Sequence, residues 1–261
     1  MNMERLVITK DTLIMNTKHI ILYILSLSSI LSMPLSAQDT TPLPTREGQG
    51  GGSAVSSTLG VDLVNQYIWR GQDLGDVSLQ PTLGVEWKGL SLSAWGNVGI
   101  SDISDDKELD LTLAYSIGGF NVGVTDYWFY DGSYFQYKAH KTTHVWEANI
   151  GYDFGFLSVQ WFTNFAGNDG LNKDGKRAYS SYFELSAPFQ LGGLDWKASI
   201  GAVPYATTSY DANGFCITNV SLLANKDLLI KEKYHLPVFA GLTANPRSEK
   251  LYLLMGVSFH L

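Results

Sequence analysis

Only 16% of the 261 residues are charged, against about 25% in an ordinary soluble domain, so the position of each charge carries information. Eight of them, Asp62, Arg70, Glu86, Asp110, Glu147, Glu184, Asp195 and Lys197, fall on the polar side of runs that alternate apolar and polar residues. Six acids against two bases on one inner surface would give a pore a cation preference. Paired across neighbouring strands, the same side chains would instead fix register. Tyr127 and Phe129 share the inward parity, and their rings would help set the bore.

Other chemistries find little footing. His144 has outward parity and Ser181 lies on a nearby strand, but nothing around them marks a nucleophile. His140, His144, His235 and His260 lack metal-ligand spacing. Asp169, Asn172 and Asp174 share a loop without the spacing of an EF-hand. Gly50-Gly51-Gly52 is a linker and not a phosphate loop, and Cys216 is the single cysteine, too few for a disulfide scaffold or a thiolate metal site. No cofactor is expected. A net charge of −7 and a pI near 5.1 argue against nucleic acid, which needs a basic face.

The elements that position these residues are strands. From Ser57 onward the period is two, and twelve segments follow: Thr58–Arg70, Leu79–Trp87, Leu90–Ile100, Glu108–Ile117, Phe120–Trp128, His144–Asp153, Phe156–Ala166, Ala178–Phe189, Leu194–Val203, Phe215–Asn225, Leu236–Asn245 and Leu251–Leu261. No segment has a convincing helical period. Tight turns at Lys88-Gly89, Gly118-Gly119, Phe154-Gly155 and Gln190–Gly193 alternate with longer connections. Short and long ends in alternation are the habit of outer-membrane barrels. Lys226–Lys233 interrupts that rhythm as a long connection at the short end, and Asn245–Lys250 is brief for an outer loop.

Alternation alone leaves open which face is wet. The polar face is rich in Gly, Ser, Thr and Asn and poor in charge, whereas a solvated exterior is about one-third charged. Aromatics cluster near strand ends, as in interfacial belts: Tyr67, Trp69, Trp128, Tyr130, Trp146 and Phe165 toward the long loops, and Trp87, Phe120, Tyr152, Phe189 and Trp196 toward the short turns. Strands in hydrocarbon must close to satisfy their backbones. The expected fold is an all-β, 12-stranded antiparallel transmembrane β-barrel over residues 57–261, about 24 Å across its backbone. Inward rings such as Tyr182 and Phe239 would lie over inward glycines such as Gly201 and Gly256 and cover their backbone.

Before the barrel, residues 1–37 read as a signal peptide, with Lys18 ahead of the apolar run Ile20–Leu31 and Ser36-Ala37 before cleavage. Met15 offers a more ordinary start than Met1. Residues 38–56, with two prolines and a glycine run, read as a flexible periplasmic leader. The last strand, with Leu253, Met255, Val257, Phe259 and Leu261 on one face, resembles the terminal signal read by outer-membrane assembly machinery, although that signal usually ends on an aromatic residue.

Tyr67-Ile-Trp-Arg-Gly71, followed by Gln72–Asp76, Gln80-Pro81 and Leu92–Gly96, resembles the opening of the TorF family of porins, bacterial outer-membrane barrels of unknown function. Asn65-Gln66 stands where that family has Ser-Asp. Composition and loop style look like a Bacteroides-type member. The resemblance implies a Gram-negative outer-membrane barrel surrounded by lipid, and supplies no substrate. The expected function is a channel for passive diffusion of small polar solutes, without enzymatic activity. The alternative is an occluded barrel with a structural role, or one that binds a partner through its outer loops, Asp131–Thr143 above all.

Overall fold

The computed structural model describes residues 55–101, 107–130, 132–138, 141–231 and 233–260. The expected signal peptide, and all but the last two residues of the expected leader, lie outside the described residues. Among the described residues, fourteen strands are formed. The first four are β1 (Ser56–Val64), β2 (Tyr67–Trp69), β3 (Gln72–Gly75) and β4 (Ser78–Trp87). Then come β5 (Leu90–Gly99), β6 (Glu108–Ile117), β7 (Phe120–Phe129), β8 (His144–Asp153) and β9 (Ser158–Gly167). The set ends with β10 (Ser181–Leu191), β11 (Leu194–Val203), β12 (Cys216–Ile230), β13 (Tyr234–Asn245) and β14 (Lys250–His260).

Twelve of these make one closed antiparallel barrel, in which β1 seals the ring by pairing with both β4 and β14. Closure leaves no edge strand, so every wall strand has two partners. Cross-strand polar pairs on the inner face hold the register: Gln80 Nε2 donates to Asn97 Oδ1 at 3.0 Å, and Thr112 and Thr125 hydroxyls meet at 3.0 Å. The outer face is apolar and exposed, with Leu83, Leu92, Leu113, Ile150, Leu242 and Leu253 among its side chains. Trp87, Phe120, Tyr152 and Phe189 ring the short-turn end, and Tyr130 and Phe165 stand toward the other. An apolar exterior around a polar interior is the arrangement of a barrel that spans a membrane. As expected, rings cover glycines on the inside. A Cβ at Gly201 would meet the Tyr182 phenol, and one at Gly256 would meet the Phe239 ring.

Two boundaries differ from expectation by more than three residues. The connection at Lys226–Lys233 is short after all: the β12–β13 ladder continues to Ile230 opposite Tyr234. Its charges belong to a hairpin running past the end of β11, whose pairing with β12 stops at Asp195 opposite Asn225. The alternation of short and long ends is therefore unbroken there.

The first expected strand, Thr58–Arg70, ends at Val64. Asn65 stops it. Its backbone N–H donates to the Met255 carbonyl, its Nδ2 to the Leu253 carbonyl at 2.9 Å, and its Oδ1 accepts from the Met255 N–H at 2.7 Å. One side chain thus takes over the ladder positions that the next residues would have filled. The chain then leaves the wall, and Tyr67–Trp69 pairs with Gln72–Gly75 as a separate two-stranded sheet. Tyr67 and Trp69, expected in the outer aromatic belt, belong to this hairpin instead, where Tyr67 is buried.

Candidate functional site

The β2–β3 hairpin lies inside the barrel, toward the long-loop end. Its partners come from opposite walls. Tyr67 Oη donates to Glu108 Oε2 of β6 at 2.7 Å, Arg70 reaches Glu147 of β8, and Asn245 Nδ2 of β13 donates to the Gly71 carbonyl at 2.9 Å. Ile68 packs with Tyr252 and Leu254 of β14. The hairpin therefore crosses the lumen.

Its tip is a two-residue turn, Arg70-Gly71, with φ of 50° and 80°. Positive φ at both central residues is the type I′ geometry, in which Asn-Gly is the usual choice. Gly71 is required, because a Cβ there would lie 1.8 Å from the Thr218 carbonyl oxygen. Arg70 is not what the turn prefers, and a non-glycine residue in this region costs about 1–3 kcal/mol. What offsets that cost is the side chain's surroundings.

Arg70 Nη1 donates to Glu147 Oε2 at 2.6 Å and to Tyr210 Oη at 2.7 Å, and Nη2 donates to Glu147 Oε1 at 2.8 Å. The guanidinium carbon also sits 4.1 Å from the Phe162 ring centroid, 4.4 Å from Trp69 and 4.7 Å from Tyr182. A bidentate fork plus aromatic faces is the strongest setting a buried arginine finds. The cage is itself braced. Tyr127 Oη donates to Glu147 Oε1 at 2.9 Å, Tyr182 Oη to Glu184 Oε2 at 2.7 Å, and Tyr210 stacks between Trp69 and Tyr182 with centroids 5.8 and 6.0 Å away.

Burial, with Glu108 and Asp110 adding to it, pushes the Tyr67 phenol well above the ordinary tyrosine range. Burial also raises the Tyr210 phenol, with Arg70 opposing and Glu147 reinforcing the rise. Both phenols remain hydrogen-bonding OH groups at any physiological pH.

The residues expected to face inward fall into three groups. Asp62, Asp110, Tyr127, Glu147 and Glu184 are buried inside the barrel, with Asp62 opposite Ser258. Arg70 is also inside, but on the hairpin and not on a wall strand as its parity implied. Glu86, Phe129 and Lys197 are half-buried, and Asp195 is exposed at the short-turn rim, accepting from Gln190 Nε2 at 2.8 Å. Arg70, Tyr127 and Glu147 are brought into direct contact, and Glu184 lies one step behind through Tyr182. Glu108 was missed, although its parity with Asp110 marks it. Tyr210, in the short 3-10 turn Thr208–Tyr210, carries no sequence signal at all.

Below the hairpin, a cavity of about 40 Å³ is lined by Arg70, Gly71, Glu184, Lys197, Asn219 and Thr243, among others. On the opposite side of the wall, His144 and Ser181 do not meet. Both ring nitrogens of His144 are engaged, with Asp126 Oδ1 and the Tyr134 carbonyl at 2.7 Å each, and Ser181 is held by Thr163, Tyr205 and the Tyr179 carbonyl. Tyr134 and Tyr137 pack on Trp128, His144 and Trp146, side chains of the outer face, so the segment Gly132–Lys138 lies against the barrel's exterior and outside its lumen.

Fold and site together define a closed transmembrane β-barrel whose lumen is crossed by a hairpin locked to the wall through a buried arginine. No family model matches the chain, and no curated protein does. Among solved structures it is similar, at 9% identity and a TM-score of 0.46, to one reported as "Unveiling the Mechanism Behind the in-meso Crystallization of Membrane Proteins", covering 78% of this chain and 83% of that one. It is also similar to OmpF of Salmonella typhi in complex with daunomycin, at 9% identity and a TM-score of 0.33, covering 80% of this chain and 97% of that one. At these scores the barrel is defined by its own strand pairing, and neither likeness bears on its activity.

Proposed function

We propose that this chain is a gated outer-membrane channel of a Gram-negative bacterium, closed at rest by the β2–β3 hairpin and passing small polar solutes when the hairpin withdraws. The observation that carries the reading is the way the hairpin is held. Its main fastening is a buried, strained Arg70 on Glu147, supported by Tyr67–Glu108 and Asn245–Gly71. Polar fastenings of this kind stabilise little beyond what apolar packing would give, but they come apart into groups that water can solvate. A permanent plug would be better served by hydrocarbon.

The remaining inward acids, Asp62, Glu86, Asp110, Glu184 and Asp195, with Lys197 as the counterweight, then line the path and favour cations. Tyr127 and Phe129 narrow it. Lipid surrounds the apolar belt, and β14 is the segment offered to the outer-membrane assembly machinery. The resemblance of Tyr67–Gly71 and its flanks to the TorF family agrees with a porin-like role.

Solute uptake by liposomes tests this. Vesicles carrying the purified chain should swell slowly in small sugars or amino acids, and several-fold faster when Arg70 is replaced by Ala. Equal rates for the two refolded barrels would remove the gate.

The second reading, a barrel permanently filled and acting through its outer surface, draws on the Gly132–Lys138 segment, where Phe135 and Tyr137 remain exposed against the outer wall. It predicts no solute flux in either form.

A further inference from the structure

We infer that the cage filled by Arg70 is a binding site for organic cations bearing a guanidinium group, which compete with Arg70 and take its place when the hairpin leaves. This rests on the hairpin being a gate, and it adds the ligand class.

Of the groups that touch the guanidinium, only Trp69 travels with the hairpin. Glu147 belongs to β8, Phe162 to β9 and Tyr182 to β10, and Tyr210 is held in a stack against Tyr182. Withdrawal of the hairpin leaves these four behind as a preformed pocket. Its chemistry is selective. Two carboxylate oxygens set to receive parallel N–H bonds match a planar guanidinium edge, and the Phe162 and Tyr182 rings offer faces to its delocalised charge. A spherical metal cation uses neither feature well.

Electrostatics act in the same direction. With Arg70 gone, Glu147 stands buried without its counter-ion, and an uncompensated buried charge is strongly unfavourable. Glu184 is close behind, bonded to Tyr182. The pocket is therefore short of one cation of Arg70's shape. The small cavity beside Arg70, lined by Glu184, Asn219 and Thr243, adjoins the same place and has room for about a methyl-sized substituent on the guanidinium.

The test uses guanidinium chloride as ligand and urea, its uncharged planar isostere, as control, each at about 10 mM, far below denaturing levels. In the refolded Arg70→Ala barrel, guanidinium should raise the melting temperature and cut conductance about tenfold, while urea and sodium do neither. Adding Glu147→Gln to that variant should abolish both effects. In the wild-type chain the same ion competes with Arg70 and should make openings longer but of lower amplitude, and this readout stands even where Arg70→Ala refolds poorly.

Guanidinium acting no differently from urea on melting and on conductance would overturn the site. An Arg70→Ala barrel that melts higher with guanidinium but never conducts would keep the site and remove the gate. One that conducts freely but ignores guanidinium would keep the gate and remove the site.

Discussion

Arg70 and Glu147 are 77 residues apart in sequence, yet they share two hydrogen bonds of 2.6 and 2.8 Å inside the barrel. One stands at the tip of a lumen hairpin and the other on the wall, so this contact ties the hairpin to the barrel alongside Tyr67–Glu108 and Asn245–Gly71. Tyr127 and Tyr210 bond to the same pair and hold both partners in the geometry the fork requires.

Breaking a buried pair from one side leaves the other charge stranded. Arg70→Ala and Glu147→Gln are each expected to lower barrel stability by about 3–5 kcal/mol, read from urea unfolding in detergent. The double variant Arg70→Ala, Glu147→Gln should lose less than the sum, because neither charge is then left alone. Additive losses would mean that the two residues act separately. Arg70→Lys should behave more like Ala than like wild type, since an ammonium cannot make the fork.

Gly71 separates the hairpin's seating from its charge. Gly71→Ala keeps Arg70 but drives a methyl group toward the Thr218 carbonyl, so the tip cannot seat against β12. Solute flux should rise as it does in Arg70→Ala, and the Tyr67 and Trp69 rings should become more accessible to fluorescence quenchers. Unchanged flux would place the closure elsewhere.

The outer segment Gly132–Lys138 is independent of the lumen. His144 bonds its Tyr134 carbonyl and packs at a tilt on its Tyr137 ring, at 4.6 Å between centroids. Replacing His144 with Ala should free the segment and increase its cleavage by protease at least several-fold, while leaving flux unaltered. Altered flux would show that the segment also reaches the pore.

Alkali offers a further check. The chain has 14 tyrosines, and the phenols of Tyr67 and Tyr210 are raised by burial and nearby charge. Because the folded form resists ionisation while the unfolded chain ionises near pH 10, stability is intact below that pH and falls as pH climbs above about 10. Tyrosinate absorbance at pH 11 should therefore be the same for folded wild type and for Tyr67→Phe or Tyr210→Phe. In the unfolded chain each substitution should remove one tyrosinate.

The wall was legible because a two-residue period with one apolar face has few other solutions, and the inward parity of Asp62, Asp110, Glu147 and Glu184 followed from it. The hairpin was not, for a physical reason. Tyr67, Ile68 and Trp69 continue the strand pattern without a break, and what ends β1 is the hydrogen bonding of the Asn65 side chain to β14. Periodicity is blind to that. The expected turn at Lys226–Lys233 erred the opposite way, since charged residues extend a ribbon beyond the rim, where water solvates them. Tyr210 had no period to reveal it, because its place depends on how a loop packs over the lumen.

The central claim is that the β2–β3 hairpin closes the lumen through Arg70. Single-channel recording of the purified chain in a planar bilayer addresses it directly, with heat-modifiable gel mobility verifying that each barrel is folded. The account predicts long closed intervals for wild type, and sustained, cation-selective openings for Arg70→Ala. A folded Arg70→Ala barrel as silent as wild type would contradict it.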